Sequence, residues 1–197
     1  MLYFTLIYFT IQVSVYGVLF YLPTRIAELL GTGIGLEVGL LTSIPWIATV
    51  IVLYAVTRYA DRKGQQTRFA ALMLALAAAG MVGSTLSGSL ALVILAFCLA
   101  AAGFITVQPL FWTLPTRFLS GAAAASGIAV IGALGNLGGF LAPTVKTWAE
   151  QKFDSTHAGM YFLAGTALVG TLMLLRSARK GSASGKHTNA TQVARSA

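Results

Sequence analysis

Four polar side chains recur at helical spacing along the first apolar stretch, and they are the first residues that could bind a small polar molecule. Thr5, Tyr8, Gln12 and Tyr16 fall within an arc of about 80° if the stretch is an α-helix. Their hydroxyl and amide groups offer neutral hydrogen bonds rather than acid–base chemistry. We predict that Tyr8, Gln12 and Tyr16 line a polar pathway. The alternative is that they hydrogen-bond to neighbouring helices and only stabilise packing.

Two later stretches add polar groups of the same kind. Gln108 and Trp112 stand one helical turn apart with Pro109 between them, and a proline can kink a membrane helix and free a backbone carbonyl. Asn136 is the only amide of its apolar stretch, and it is expected to point inward because an unpaired amide in lipid is costly. We predict Gln108, Trp112 and Asn136 as further pathway residues. Trp112 could instead belong to the aromatic belt at the membrane surface.

Small residues surround Asn136. Gly135 and Gly139 form a GxxxG pair, a spacing that lets two membrane helices approach closely. Both glycines are therefore predicted to serve helix packing. The alternative is that the missing side chains leave room for a substrate.

Long windows without charge indicate which elements must position these side chains. Residues 69–116 are 48 residues without Asp, Glu, Lys or Arg, and at about 1.5 Å per helical residue they are long enough for two membrane crossings. Four shorter windows supply one crossing each, because a charge at mid-bilayer costs about 2.5–3.5 kcal/mol. The sequence predicts an all-α integral membrane protein. Its six transmembrane helices are predicted at about 3–24, 36–58, 67–86, 89–114, 120–144 and 158–176.

The bulk composition agrees with a membrane protein. The chain is 57% hydrophobic and 9% charged, with a net charge of +8. Ten of the 13 Lys and Arg residues fall in alternate loops or after the last helix, which is the positive-inside pattern and predicts that both termini are cytoplasmic. The excess charge is thus a topology signal and does not indicate nucleic-acid binding. We predict a bundle over residues 1–176 and a disordered cytoplasmic tail over 177–197.

The predicted spans hold no machinery for an enzyme. They contain no metal-ligand cluster, no His–acid pair and no nucleophile–base pair, so no metal site, cofactor or catalytic residue is expected. Cys98 is the only cysteine, which excludes an internal disulfide. No acid, His or Lys lies inside a span either, so this chain alone cannot carry out proton coupling.

A four-residue echo suggests internal symmetry. Residues 22–25 and 114–117 both read LPTR, and they are predicted to end the first and fourth helices on opposite sides of the membrane. This is the trace that an inverted repeat of three plus three helices would leave. Chance is the alternative, since proline and arginine commonly stop a membrane helix.

The predicted loop between the second and third helices carries a compact polar motif. Asp61 can cap or ion-pair at the adjoining helix ends, Arg62 can bind a carboxylate or helix carbonyls, and Gly64 permits a tight turn. Such contacts could latch one conformation and release in another. The alternative is a solvated loop that only sets the topology.

This loop and four further motifs resemble the anion:cation symporter branch of the major facilitator superfamily, which includes bacterial tartrate-, phthalate- and galactonate-type permeases and relatives of sialin. The resemblance covers about residues 3–176 and matches only the C-terminal six of the usual twelve helices. The motifs are Tyr16-Gly17 with 20–23 (FYLP), 39–45 (GLLTSIP), Asp61-Arg62-x-Gly64, 109–121 (PLFWTLPTRFLSG) and 135–140 (GNLGGF).

The resemblance implies a function as well as a fold. It implies one half of a transporter of the inner membrane that carries a small organic anion, such as a carboxylate or sugar acid, by alternating access. Symport with a proton or another cation is implied, as is a second six-helix bundle as partner. The resemblance also favours a pathway role for Trp112. The alternative is a truncated or split membrane component that does not transport without a partner bundle.

Overall fold

The structure is a computed structural model that describes residues 1–86, 88–118, 121–155 and 157–195. Those residues form seven α-helices and no strand. Six of the helices are long and apolar enough to cross a membrane, which confirms the predicted fold class. The helices are α1 Leu2–Leu30, α2 Leu36–Lys63, α3 Gln66–Thr85, α4 Leu90–Trp112, the short α5 Pro115–Phe118, α6 Ala122–Phe153 and α7 Ala158–Arg195.

Three helices before α7 run past their predicted ends. Pro23 lies inside α1, which continues to Leu30, and Pro143 lies inside α6, which continues to Phe153. A proline removes one backbone donor, whereas unwinding the chain at membrane depth would leave several backbone groups without partners. The chain therefore stays helical through both prolines. The prediction that the first LPTR segment ends a helix is wrong. α2 similarly continues to Lys63.

α1 and α2 end in the same left-handed turn. Gly31 and Gly64 have φ angles of 65° and 62°, a region that glycine enters without steric cost. At the end of α2 the Gly64 N–H donates to the Asp61 carbonyl at 3.1 Å, and the Gln65 N–H donates to the Ala60 carbonyl at 3.2 Å. These two bonds satisfy carbonyls that the helix end would leave free. Gly64 thus makes the tight turn from which α3 starts.

The pairing of the helices fits the predicted inverted repeat in part, because the α3–α4 interface is more extensive than its counterpart between α7 and α1. The most extensive interfaces join α3 to α4, α1 to α6, α3 to α7 and α2 to α4. The predicted repeat relates α1 to α4, α2 to α6 and α3 to α7. Under this relation the α1–α6 interface corresponds to the α4–α2 interface, and the α3–α7 interface joins two equivalent helices. Six helices packed in this pattern fit the six-helix half of a transporter that the resemblance implies.

Glycines allow a close approach between α3 and α4. A Cβ atom on Gly80 would lie 2.6 Å from the Ala96 carbonyl oxygen, and one on Gly103 would lie 2.4 Å from the Met73 carbonyl oxygen. Both obstacles are backbone atoms, so neither can rotate away. The two helices can pack at this distance only because neither position carries a side chain.

We expect Gly103→Ala to destabilise the bundle by about 1–3 kcal/mol, the usual cost of overpacking a tight interface. Gly83→Ala is the matched control, because its Cβ would meet Ala96 at an ordinary 3.5 Å. Thermal unfolding in detergent measures both variants. Equal melting temperatures for the two would contradict this account of the α3–α4 interface.

The last helix extends beyond the predicted span. Its apolar part of membrane length is Ala158–Ala178. The backbone is helical to Arg195, whereas the sequence predicts disorder over 177–197. Residues 196–197 lie outside the described part of the chain, as do Leu119 and Ser120 of the fourth motif. The tail as a unit separate from the bundle remains a prediction.

Candidate functional site

Two of the predicted pathway residues meet across α1 and α6. Gln12 Nε2 donates a hydrogen bond to Asn136 Oδ1 at 2.5 Å. Gln12 is buried, whereas Asn136 is exposed on the bundle, although its side-chain oxygen turns to α1. Asn136 lies near the middle of α6, about 21 Å along the helix axis from Ala122 at 1.5 Å per residue. The pair therefore places two amides at mid-membrane depth.

An aromatic group lies beside this pair and joins α1 to α4. The Tyr8 ring stacks on Phe111 with centroids 5.3 Å apart, and Trp112 lies 4.8 Å from Tyr8 in a tilted arrangement. Tyr8 lies one turn before Gln12 on α1 and so stands between the amide pair and the aromatic residues of α4.

Glycines of α6 receive the large side chains of α1. A Cβ on Gly135 would lie 2.2 Å from Tyr8 Cδ1, and a Cβ on Gly139 would lie 2.4 Å from Tyr16 Cδ2. A Cβ on Gly138 would lie 2.5 Å from the Phe9 carbonyl oxygen. The GxxxG pair therefore lies against α1, with one tyrosine over each glycine. This contact supports the predicted packing role and fixes where Tyr8 and Tyr16 stand.

Gln108 and Thr5 are the remaining polar residues that the sequence singled out. Gln108 is half-buried on α4, one turn before Trp112. Thr5 donates to the Met1 carbonyl of its own helix at 3.3 Å, so its hydroxyl is satisfied locally. Gln108 as a pathway residue remains a prediction.

The amide pair keeps unused hydrogen-bonding capacity. Gln12 Oε1 is buried and has no hydrogen-bond partner among the described residues. A buried carbonyl without a donor is costly, which favours a donor from outside the bundle when the site opens. The side-chain nitrogen of Asn136 lies on α6, one of the two helices that the bundle covers least. The Asn136 end of the pair is therefore exposed on the bundle, whereas the Gln12 end is buried.

A side-chain hydrogen bond joins the two ends of the loop motif. Gln66 Nε2 donates to Asp61 Oδ1 at 3.1 Å and links the end of α2 to the start of α3. Within the described ranges, neither Asp61 nor Arg62 forms an ion pair. The predicted latch role of Asp61, Arg62 and Gly64 remains a prediction.

Sequence reasoning missed two features. Phe111 is fully buried under Tyr8, and its position directly before Trp112 in a motif rich in aromatics was the available signal. At the other end of α6, Lys146 pairs with Glu150 at 2.8 Å and lies 4.9 Å above the Tyr21 ring. Their i,i+4 spacing could have indicated the pair.

The arrangement brings neutral hydrogen-bonding groups together with aromatic side chains. Tyr8, Gln12, Trp112 and Asn136 contribute neutral donors and acceptors beside aromatic surface. In the part of the chain that the structure describes, no group of three His, Cys, Asp or Glu residues could hold a metal ion. Recognition of a small polar solute is the chemistry that these residues support.

The family that this geometry belongs to is decided by comparison with known proteins. The family model of the Major Facilitator Superfamily matches residues 1–143. The chain belongs to the major facilitator superfamily. The match includes α1 to α5 and all six predicted pathway residues on α1, α4 and α6.

Individual relatives in the superfamily are also similar. The chain is 47% identical over 171 residues to "Inner membrane transport protein RhmT" of Escherichia coli (strain K12), covering 86% of this chain and 39% of the relative. It is 35% identical over 178 residues to "Putative tartrate transporter" of Agrobacterium vitis, covering 89% and 39%. It is 36% identical over 173 residues to "Quinolone resistance transporter" of Acinetobacter baumannii, covering 85% and 38%. The chain thus spans about two fifths of the length of these relatives.

Proposed function

We propose that this chain forms one half of a transporter of the inner membrane that carries a small organic anion, with the Gln12–Asn136 pair at the substrate site. The amide pair is the observation that carries the proposal. It provides hydrogen-bonding groups at mid-membrane depth, where lipid offers a polar side chain no hydrogen-bond partner. Tyr8, Tyr16, Gln108 and Trp112 complete the proposed lining.

A second six-helix bundle is part of the proposal. α2 and α6 are the least covered membrane helices, with 17% and 28% of their most apolar windows buried, against 44% or more for the others. Asn136 lies on one of these two helices. A partner bundle seated on this side would enclose the site, and rocking of the two bundles would expose it to each side in turn.

Cation coupling and fixed positive charge are assigned to the partner bundle. The spans described here hold no acid or lysine beside the amide pair that could carry a coupled proton or neutralise an anion. A carboxylate moving through this site needs a cation nearby, because an unpaired charge in a low-dielectric site is expensive. Symport with a proton or another cation follows from that division of roles.

Uptake in proteoliposomes tests the proposal. The chain is reconstituted alone, and also with the remainder of the Escherichia coli relative supplied as a second polypeptide. Tartrate is the first substrate to try, because relatives are named for it. We expect uptake only with both parts, and we expect competition by other hydroxy acids. Uptake of none of several organic anions by the correctly assembled pair would refute the assignment and favour a component that does not transport.

A further inference from the structure

The hairpin between α2 and α3 exposes basic and aromatic side chains that the transport site does not use. Lys63 Nζ lies 5.1 Å from the centroid of the Tyr59 ring, which is a cation–π distance. The same ring meets Phe69 of α3 edge-on, with centroids 5.4 Å apart. Tyr59, Lys63 and Arg68 are all exposed. With Phe69 and Leu72 these residues are called the hairpin patch.

A small cleft lies within the hairpin patch. Its volume is about 180 Å³, and it is lined by Gln65, Arg68, Phe69 and Leu72. The polar residues come from the first turn of α3 and its flanking residue, and the apolar ones lie up to one turn further into the span. Leu72 is 58% exposed, so this wall continues onto the surface of the helix. The cleft is thus polar at the membrane surface and apolar at the depth of the acyl chains.

The charge around the cleft is not neutralised within the hairpin. Arg58, Arg62, Lys63 and Arg68 stand within 11 residues, and Asp61 is the only acid among them. The Asp61 carboxylate accepts a hydrogen bond from Gln66, and none of the four cations forms an ion pair within the described residues. A net charge of about three therefore remains where two membrane helices reach the headgroups.

We propose that the hairpin patch binds the headgroup of an anionic phospholipid. Arg68 and Lys63 contact the phosphate, and one acyl chain lies along Phe69 and Leu72. Clusters of Lys and Arg at the cytoplasmic end of a membrane helix are suited to such headgroups. The cytoplasmic leaflet follows from the orientation in the proposed function, and only this choice of leaflet rests on it.

Two simpler ligands fit the patch less well. Free phosphate would use the cations but leave the apolar wall exposed to water. A zwitterionic lipid would use the wall, but its own positive group would face the cations. A signal that only sets topology needs the charges and has no use for a cleft or for a lysine held above a tyrosine ring. An anionic phospholipid uses all these features together.

The test counts bound lipids on the purified full chain by native mass spectrometry. Dioleoylphosphatidylglycerol, dioleoylphosphatidylcholine and inorganic phosphate are titrated separately. We expect preferential binding of the anionic lipid, and we expect Lys63→Gln/Arg68→Gln to weaken it by about fivefold for each cation removed. Lys152→Gln/Arg176→Gln removes the same charge elsewhere, and this control should keep the wild-type affinity.

The outcomes separate this proposal from its rivals and from the transport proposal. Equal binding of the two lipids, equal losses in both double variants, or displacement of the lipid by inorganic phosphate would each overturn it. Circular dichroism of each variant verifies that the helices are intact. Because the lipid count requires no transport, a failed uptake experiment leaves this result standing, and the reverse also holds.

Discussion

Asn136→Ala should reduce uptake by the assembled transporter about tenfold or more while the protein still inserts into the membrane. The substitution removes the acceptor of the Gln12 side-chain N–H and a proposed substrate contact in one step. A buried donor left without a partner costs about 1–3 kcal/mol, and 1.4 kcal/mol corresponds to a factor of ten in binding. Initial uptake rates, normalised to the amount of inserted protein, measure the effect.

Two further variants distinguish a binding role from a structural one. Leu137→Ala changes an exposed apolar neighbour and should leave uptake near wild type. Gln12→Leu/Asn136→Leu removes both polar partners, so its thermal stability should recover relative to Asn136→Ala while uptake stays low. Uptake that returned along with stability would show that the amides only join helices. Unchanged uptake in Asn136→Ala would remove this residue from the site.

The second large effect is expected from filling the glycine positions beneath α1. Gly135→Ala and Gly139→Ala should each destabilise the bundle by about 1–3 kcal/mol and abolish uptake. In Gly135→Ala the added methyl group would lie within about 3.1 Å of the Tyr8 Cβ and Cγ, atoms too close to the backbone to move aside. In Gly139→Ala it would lie 2.4 Å from Cδ2 and 3.0 Å from Cγ of the Tyr16 ring. The tyrosine, and α1 with it, would have to move. Thermal unfolding and uptake are measured on the same samples.

Gly132→Ala is the matched control for this pair. It adds the same methyl group to the same helix one turn earlier, where the nearest atom is Trp112 Cη2 at an ordinary 3.9 Å. We expect wild-type stability and nearly normal uptake from it. If all three substitutions behaved alike, loss of helix flexibility rather than displacement of the tyrosines would be the better explanation.

The membrane spans could be predicted because charge is excluded from lipid whatever the tertiary fold. Residues 69–116 had to form two helices for that reason alone, and they form α3 and α4. The helix ends at Leu30 and Phe153 could not be predicted in the same way. Local rules assign a stop to proline, whereas the absence of water around the backbone decides the outcome at Pro23 and Pro143.

The sequence predicted which residues form the site, but not which of them contact one another. Helical spacing put Tyr8, Gln12 and Tyr16 on one face, and the GxxxG spacing indicated that Gly135 and Gly139 approach a helix. That each tyrosine lies over a glycine depends on the axial register between two helices more than 100 residues apart. One sequence holds no information on that register. The bond from Gln12 to Asn136 follows from the same register and could not be predicted either.

The seating of two tyrosines over two glycines has a consequence for how the protein could work. Tyr8 and Tyr16 fill the spaces above Gly135 and Gly139, and the hydrogen bond between the Gln12 and Asn136 side chains lies between the two rings. A shear of one helix along the other would have to lift both rings at once. α1 and α6 should therefore move together as one rigid body, and the Gln12–Asn136 hydrogen bond should stay intact. Any motion that opens the molecule must then occur at the contacts between the α1–α6 pair and the structure around it.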